Sequence, residues 1–149
     1  MTFFFHLHSG LRYLVLLSGV IALAYFAFAA ATKRPFDKVG RIIGASYSGF
    51  LQLQVLVGVG VLVTRGYYPA LIGHIVMMVL AVGAIQGPLG ATRRRAAAAS
   101  AGTESPEPGD VKRVPPGYVA VLVGALVSLA LVAGGILAIR PGLFVSTAF

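Results

Sequence analysis

Three histidines are the side chains of this sequence with the widest chemistry, and each lies near the start of an apolar segment. His6 and His8 are close to the N-terminus, and His74 comes about five residues into a later apolar segment. A neutral imidazole nitrogen is a good ligand for a metal ion or for haem iron. The sequence has no cysteine, which removes thiolate ligands, disulfides and iron–sulfur clusters. Histidine ligation is therefore the metal chemistry to consider.

These histidines lie in a very apolar chain. Of its 149 residues 58% are hydrophobic and 11% are charged, whereas soluble domains have about 25% charged residues, and the mean hydropathy is +0.90. Four apolar segments, at about 5–31, 42–63, 69–91 and 118–139, are each long enough to cross a bilayer. The sequence predicts an all-α integral membrane four-helix bundle that forms one transmembrane domain over 1–149. Segment 93–117, rich in small residues, proline and acids, is predicted to be a flexible cytoplasmic loop.

The basic residues predict the orientation of the four spans. The net charge is +8, and the basic residues flank apolar spans, which favours lipid contact over nucleic-acid binding. Three basic residues fall on one side of the predicted membrane, and nine fall on the other. The three are Arg12, Arg65 and Arg140, and the nine are Lys33, Arg34, Lys38, Arg41, Arg93, Arg94, Arg95, Lys112 and Arg113. The positive-inside rule then places both termini outside and both long loops in the cytoplasm.

Helical spacing and depth select a pair of histidines. At about 100° per residue, His8 and Arg12 share a face of the first span, and His6 points nearly opposite to His8. Both chain segments that carry His8 and His74 enter from the outer side, so the two side chains have a similar depth. If spans one and three are neighbours, His8 and His74 should face each other across the outer half of the core, with His6 turned outward. The simpler alternative is that both histidines pack against hydrogen-bonding neighbours.

Other polar residues near this depth could complete a cofactor site. Arg12 and Arg65 could neutralise the propionates of a haem, and Gln52 or Gln54 could supply a wall or contact a quinone carbonyl. The two glutamines point to opposite sides of the second span, so one of them should face the core. Interhelical hydrogen bonding is the plainer interpretation for both amides. The candidate site therefore comprises His8 and His74 as axial iron ligands, with Arg12, Arg65 and Gln52 around the cofactor.

Three strings in the first three spans resemble a family of small bacterial four-helix membrane proteins often labelled cytochrome b-like. They are His6-Leu7-His8-Ser9-Gly10-Leu11-Arg12-Tyr13, Gln52-Leu53-Gln54-Val55-Leu56-Val57-Gly58 and Gly73-His74-Ile75-Val76-Met77. The resemblance implies that His8 and His74 occupy the positions of two family histidines. Family members also carry a histidine in span two, where this chain has Gln52. A location in the bacterial inner membrane, with both termini periplasmic, is the corresponding expectation.

The sequence leaves two main functional hypotheses open. The first is a membrane redox protein or electron-transfer subunit that binds haem b, with quinone or a chlorophyll-type pigment as alternative cofactors. The second is a cofactor-free accessory subunit of a larger respiratory or photosynthetic complex. Either protein would have the lipid bilayer and other membrane subunits as partners. No span contains Asp, Glu or Lys, and no catalytic triad, phosphate loop or paired carboxylates are recognisable, so independent enzyme activity is not predicted.

Overall fold

The computed structural model describes residues 3–101 and 118–139, and this part of the chain forms four helices. They are α1 (Phe3–Ala31), α2 (Lys38–Arg65), α3 (Leu71–Ala101) and α4 (Val119–Leu137). Each helix is long and apolar enough to span a membrane. The predicted all-helical architecture, with four helices long and apolar enough to cross a membrane, is therefore confirmed. Many large apolar side chains on the surface of the bundle are exposed, as lipid-facing side chains would be.

The helices form a ring in which each packs against two others. α1 and α3 both contact α2 and α4, whereas α1 and α3 lie diagonally opposite each other in the described part of the bundle. Adjacency of spans one and three, the condition attached to the prediction of facing histidines, is thus not met. The contact between α2 and α3 is the least extensive of the four. This weak contact leaves space between α2 and α3 for the larger of the two cavities described below.

Helix α3 extends further than the apolar pattern indicates. It continues through Pro88 and the three arginines 93–95 to Ala101. The first nine residues of the segment predicted as a loop are therefore helical, and residues 102–117 lie outside the described part. Pro88 cannot donate a hydrogen bond to Ala84. Gly124 of α4 packs directly on this point, since a Cβ there would lie 2.5 Å from the Ala84 carbonyl oxygen and 2.8 Å from Pro88 Cγ.

Two residues determine where α2 begins and ends. Asp37 is its N-cap, with extended backbone and a side chain that accepts a 2.8 Å hydrogen bond from the Gly40 N–H. Gly66 follows the last residue with φ of 84°, a left-handed conformation that glycine adopts without steric cost. The chain then turns through two tyrosines and Pro69 into α3. This turn keeps the C-terminal end of α2 beside the N-terminal end of α3, and so beside His74.

The centre of the bundle is tightly packed and its polar groups are paired. Buried Tyr47 of α2 donates to Ser128 Oγ of α4 at 2.9 Å, and Ser128 donates to the Ala81 carbonyl of α3 at 2.8 Å. Around this chain of hydrogen bonds lie buried apolar side chains from all four helices, which include Val15, Ala22, Phe26, Leu51, Ile85, Val121 and Ala125. The tight centre separates two different ends of the bundle. We call them the histidine end, with His8 and His74, and the aspartate end, with Asp37.

Candidate functional site

His8 and His74 meet inside the histidine end although their helices are diagonally opposite. Their ring centroids are 6.3 Å apart and the ring planes are inclined at 74°. Both side chains point toward the bundle axis, which is why residues from opposite helices come together. His6 is exposed, and its ring centroid lies 5.8 Å from that of Phe5. The expected opposition of His8 and His74, with His6 turned away from the core, is therefore present.

Each histidine has a defined hydrogen-bond partner. His74 Nδ1 lies 2.8 Å from the carbonyl oxygen of Gly135 on α4. A carbonyl oxygen can only accept, so Nδ1 carries the hydrogen, and in a neutral ring the lone pair is on Nε2. This is the arrangement that orients most metal-bound histidines. Gly135 lets α3 and α4 approach closely here, since a Cβ at that position would lie 2.5 Å from the Met78 methyl group and 3.3 Å from Met77 Cβ.

His8 is held by Gln54 of α2. The amide nitrogen Nε2 of Gln54 donates to the His8 carbonyl oxygen at 3.0 Å and lies 3.2 Å from His8 Nε2. Because the first contact requires a donor, the amide orientation is fixed and His8 Nε2 is the acceptor of the second. The other amide atom, Gln54 Oε1, is buried without a hydrogen-bond partner in the described part of the chain. Gln54, rather than Gln52, is therefore the glutamine that reaches the site.

Two cavities adjoin this histidine pair. The larger, which we call the lateral cavity, has a volume of about 520 Å³ and lies between α2 and α3. The smaller, which we call the axial cavity, has a volume of about 30 Å³ and lies toward α1 and α4. Five residues line both cavities and so form the wall between the two: His8, Gln54, His74, Met78 and Ile139. The lateral cavity is otherwise mainly apolar and is completed by Phe5, Val55, Gly58, Val59, Val61, Leu62, Arg65, Gly66, Tyr68, Leu71, Ile75 and Val79.

The two arginines of the predicted site belong to different cavities. Arg65 lines the lateral cavity, is exposed, and stacks its guanidinium 4.2 Å from the Phe5 ring centre. Arg12 lines the axial cavity and is only 5% exposed. Arg12 donates from one terminal nitrogen to Tyr13 Oη at 2.8 Å, and its guanidinium lies 4.7 Å from the Tyr13 ring centre. Its Nε and Nη1 are buried and have no hydrogen-bond partner among residues 3–101 and 118–139.

Gln52 lies away from both cavities. It is exposed, and its amide donates to the backbone carbonyl and the hydroxyl of Ser48, both at 3.1 Å, within α2. Sequence reasoning could tell that the two glutamines face opposite ways but not which one faces the core. The structure shows which one does: Gly40, Tyr47 and Gln54, which are seven residues apart, are all buried on one face of α2. That face continues to Gly58, where a Cβ would lie 3.1 Å from His8 Cε1.

At the aspartate end, sequence reasoning missed a polar network that joins distant parts of the chain. Tyr118 donates to Asp37 Oδ1 at 2.6 Å, Tyr25 donates to the same carboxylate at 3.2 Å, and the Asp37 N–H donates to Tyr118 Oη at 3.3 Å. The hydrogen bond from the Gly40 N–H, and then those from the tyrosines, lower the pKa of Asp37. Burial and the hydrogen bond to Asp37 raise the pKa of Tyr118. This network is structural, because none of its atoms lines the lateral or the axial cavity.

No family model, curated protein or solved structure matches this chain. Within the described residues, no group of three or more His, Cys, Asp or Glu side chains could hold a metal ion. The features of this chain that bear on its function are therefore the histidine pair and its two cavities.

Proposed function

We propose that this protein is a membrane redox protein, or an electron-transfer subunit, that binds one b-type haem in the lateral cavity. The observation that carries the proposal is the position of the His8–His74 pair in the wall of that cavity. Metal–imidazole bonds are about 2.0–2.1 Å long for zinc, so two imidazoles that bind one metal from opposite sides would have ring centres roughly 6 Å apart. The 6.3 Å separation observed here agrees with that requirement.

The residues fit a haem in three further respects. His74 presents a lone pair on Nε2 because its Nδ1 is occupied by Gly135. The walls of the lateral cavity are mainly apolar, as a porphyrin requires, and Arg65 at its edge could pair with a propionate. A bound haem would supply reversible one-electron transfer. For His8 to act as the second ligand, the Gln54 amide has to leave His8 Nε2.

The proposal is tested by the absorption spectrum of the full-length protein, purified with and without added haemin and reduced with dithionite. We expect a reduced α-band typical of haem b that is lost in His74→Ala and in His8→Ala. His6→Ala is the matched control, since His6 is exposed and should leave the band unchanged. A folded protein that shows no such band after incubation with haemin would refute the proposal, as would a band that survives in both variants.

Gln54 offers a second, independent variant. Gln54→Leu removes the amide from His8 Nε2, so haem binding should become tighter if that nitrogen is an iron ligand. Gln52→Leu makes the same chemical change on the exposed side of α2 and should not alter haem affinity. Equal haem affinities in Gln54→Leu and the unmodified protein would argue against His8 as an iron ligand, and His74 would remain as the only candidate of the pair.

A second candidate function is that of a cofactor-free accessory subunit in a larger membrane complex. The observation in its favour is that both imidazoles already have protein partners, Gln54 and Gly135, as packing histidines would. In that case His74→Ala should weaken the α3–α4 contact without any spectral change. A colourless protein that co-purifies from native membranes with other membrane subunits in constant proportion would support this function.

A further inference from the structure

Arg12 is a buried charge without a counter-charge in the described part of the chain. Only 5% of Arg12 is exposed, and only one of its three side-chain nitrogens has a hydrogen-bond partner among the described residues. Arginine stays protonated in proteins, so burial cannot be relieved by loss of a proton. A buried ion without an opposite charge is strongly unfavourable, and inside a membrane such a residue is a functional candidate by default.

The carboxylates of the described residues do not reach Arg12. Among them the only acidic side chain is Asp37, which is bound to Tyr25 of α1. Tyr25 is 13 residues beyond Arg12 on the same helix, and at 1.5 Å per residue this is about 20 Å. Tyr13 offers a hydroxyl and a ring face, which are neutral. The guanidinium therefore needs an anion that none of the described residues supplies.

The axial cavity is where such an anion would lie. Arg12 and Gln54 both line this cavity, and its volume of about 30 Å³ holds one or two water-sized particles. The two unsatisfied groups have opposite polarity: Arg12 Nε and Nη1 need an acceptor, and Gln54 Oε1 needs a donor. Nε and Nη1 point to different edges of the guanidinium, so one monovalent anion can accept from one of them. One water that accepts from the other nitrogen and donates to Oε1 would then satisfy all three atoms. Two waters would complete the hydrogen bonds but leave the charge unbalanced.

We propose that the axial cavity is a binding site for a small monovalent anion of chloride size, held by the buried guanidinium of Arg12. The site lies across the His8–Gln54–His74 wall from the lateral cavity, so it does not depend on whether a cofactor binds there. The carboxylate of a haem propionate shares the chemistry of the anion. The small volume of the cavity favours a halide, and the experiment separates the two sources.

The first test is thermal unfolding of the full-length protein in lipid nanodiscs, in chloride or bromide against gluconate at constant ionic strength. A ligand that binds only the folded state stabilises it by mass action, so the halides should raise Tm saturably, by roughly 5–10 °C at about a hundred times Kd. Arg12→Gln should abolish this rise. Arg41→Gln is the matched control, because Arg41 is exposed at the aspartate end and should retain the full rise.

The second test needs no variant and so does not depend on how Arg12→Gln folds. Crystals grown in bromide should show one anomalous peak in the axial cavity, within hydrogen-bond distance of the Arg12 guanidinium. A cavity that contains only water, or a halide effect that persists in Arg12→Gln, would overturn the proposal. So would a Tm that is insensitive to halide in protein loaded with haemin but sensitive without it, since a propionate would then be the natural anion.

Discussion

The two ends of the bundle treat their buried polar groups in opposite ways. At the aspartate end, the Asp37 carboxylate accepts hydrogen bonds from Gly40, Tyr118 and Tyr25. At the histidine end, two nitrogens of Arg12 and one oxygen of Gln54 are buried beside two cavities, and no described residue is their hydrogen-bond partner. Unsatisfied buried polar groups are costly and uncommon in folded proteins. The aspartate end therefore pairs its buried polar groups within the fold, whereas the histidine end leaves polar groups and space for the ligands proposed above.

The largest expected effect is at the aspartate end. Asp37→Ala removes the N-cap of α2 and two tyrosine hydrogen bonds to a carboxylate, so the free energy of unfolding should fall by about 2–4 kcal/mol. Chemical unfolding in mixed micelles, followed by circular dichroism, measures this loss. The neighbouring exposed change Lys38→Ala should cost less than about 0.5 kcal/mol. Equal losses in the two variants would mean that the network does not stabilise the fold.

A matched pair of glycines compares the packing of the two ends. A Cβ at Gly40 would overlap the hydroxyl and ring of buried Tyr118, whereas a Cβ at Gly58 would lie 3.1 Å from His8 Cε1 beside the lateral cavity. We expect Gly40→Ala to destabilise the protein by about 1–3 kcal/mol through overpacking, and Gly58→Ala to cost less than about 1 kcal/mol because His8 has space to move. The same unfolding measurement applies. A larger loss in Gly58→Ala would show that the histidine end is the tighter one.

The pH dependence of stability should come from the aspartate end. Because the folded-state pKa of Asp37 lies below its ordinary value of about 4, the ionised carboxylate stabilises the fold above the unfolded pKa. This stabilisation is lost as the pH falls through the folded-state pKa. Tm measured between pH 7 and pH 3 should therefore fall more steeply in the unmodified protein than in Asp37→Asn. Parallel curves for the two proteins would assign the acid sensitivity to other carboxyl groups.

The sequence could predict the helices but only part of the site. Runs of apolar residues predict the four helices. The rotation of 100° per residue places His8 and Arg12 on one face of α1, and both residues do line the axial cavity. The Asp37–Tyr118 contact could not be predicted, because it joins residues 81 positions apart through the tertiary fold. The cavities depend on how closely α2 and α3 approach. A periodic pattern gives the direction of a side chain but not the distance between helices.

The smallest expected effect distinguishes the two glutamines of α2. Gln52→Leu removes hydrogen bonds that the exposed amide makes within its own helix, so stability should change by less than about 0.5 kcal/mol. Gln54→Leu loses the hydrogen bond to the His8 carbonyl, but it also removes the unsatisfied Oε1, and the two changes should nearly cancel, to within about 1 kcal/mol. A buried amide that held the fold as Asp37 does would cost far more. If Gln54→Leu destabilised the protein as much as Asp37→Ala, the histidine end would be a second structural network, and its cavities would lose their significance as ligand sites.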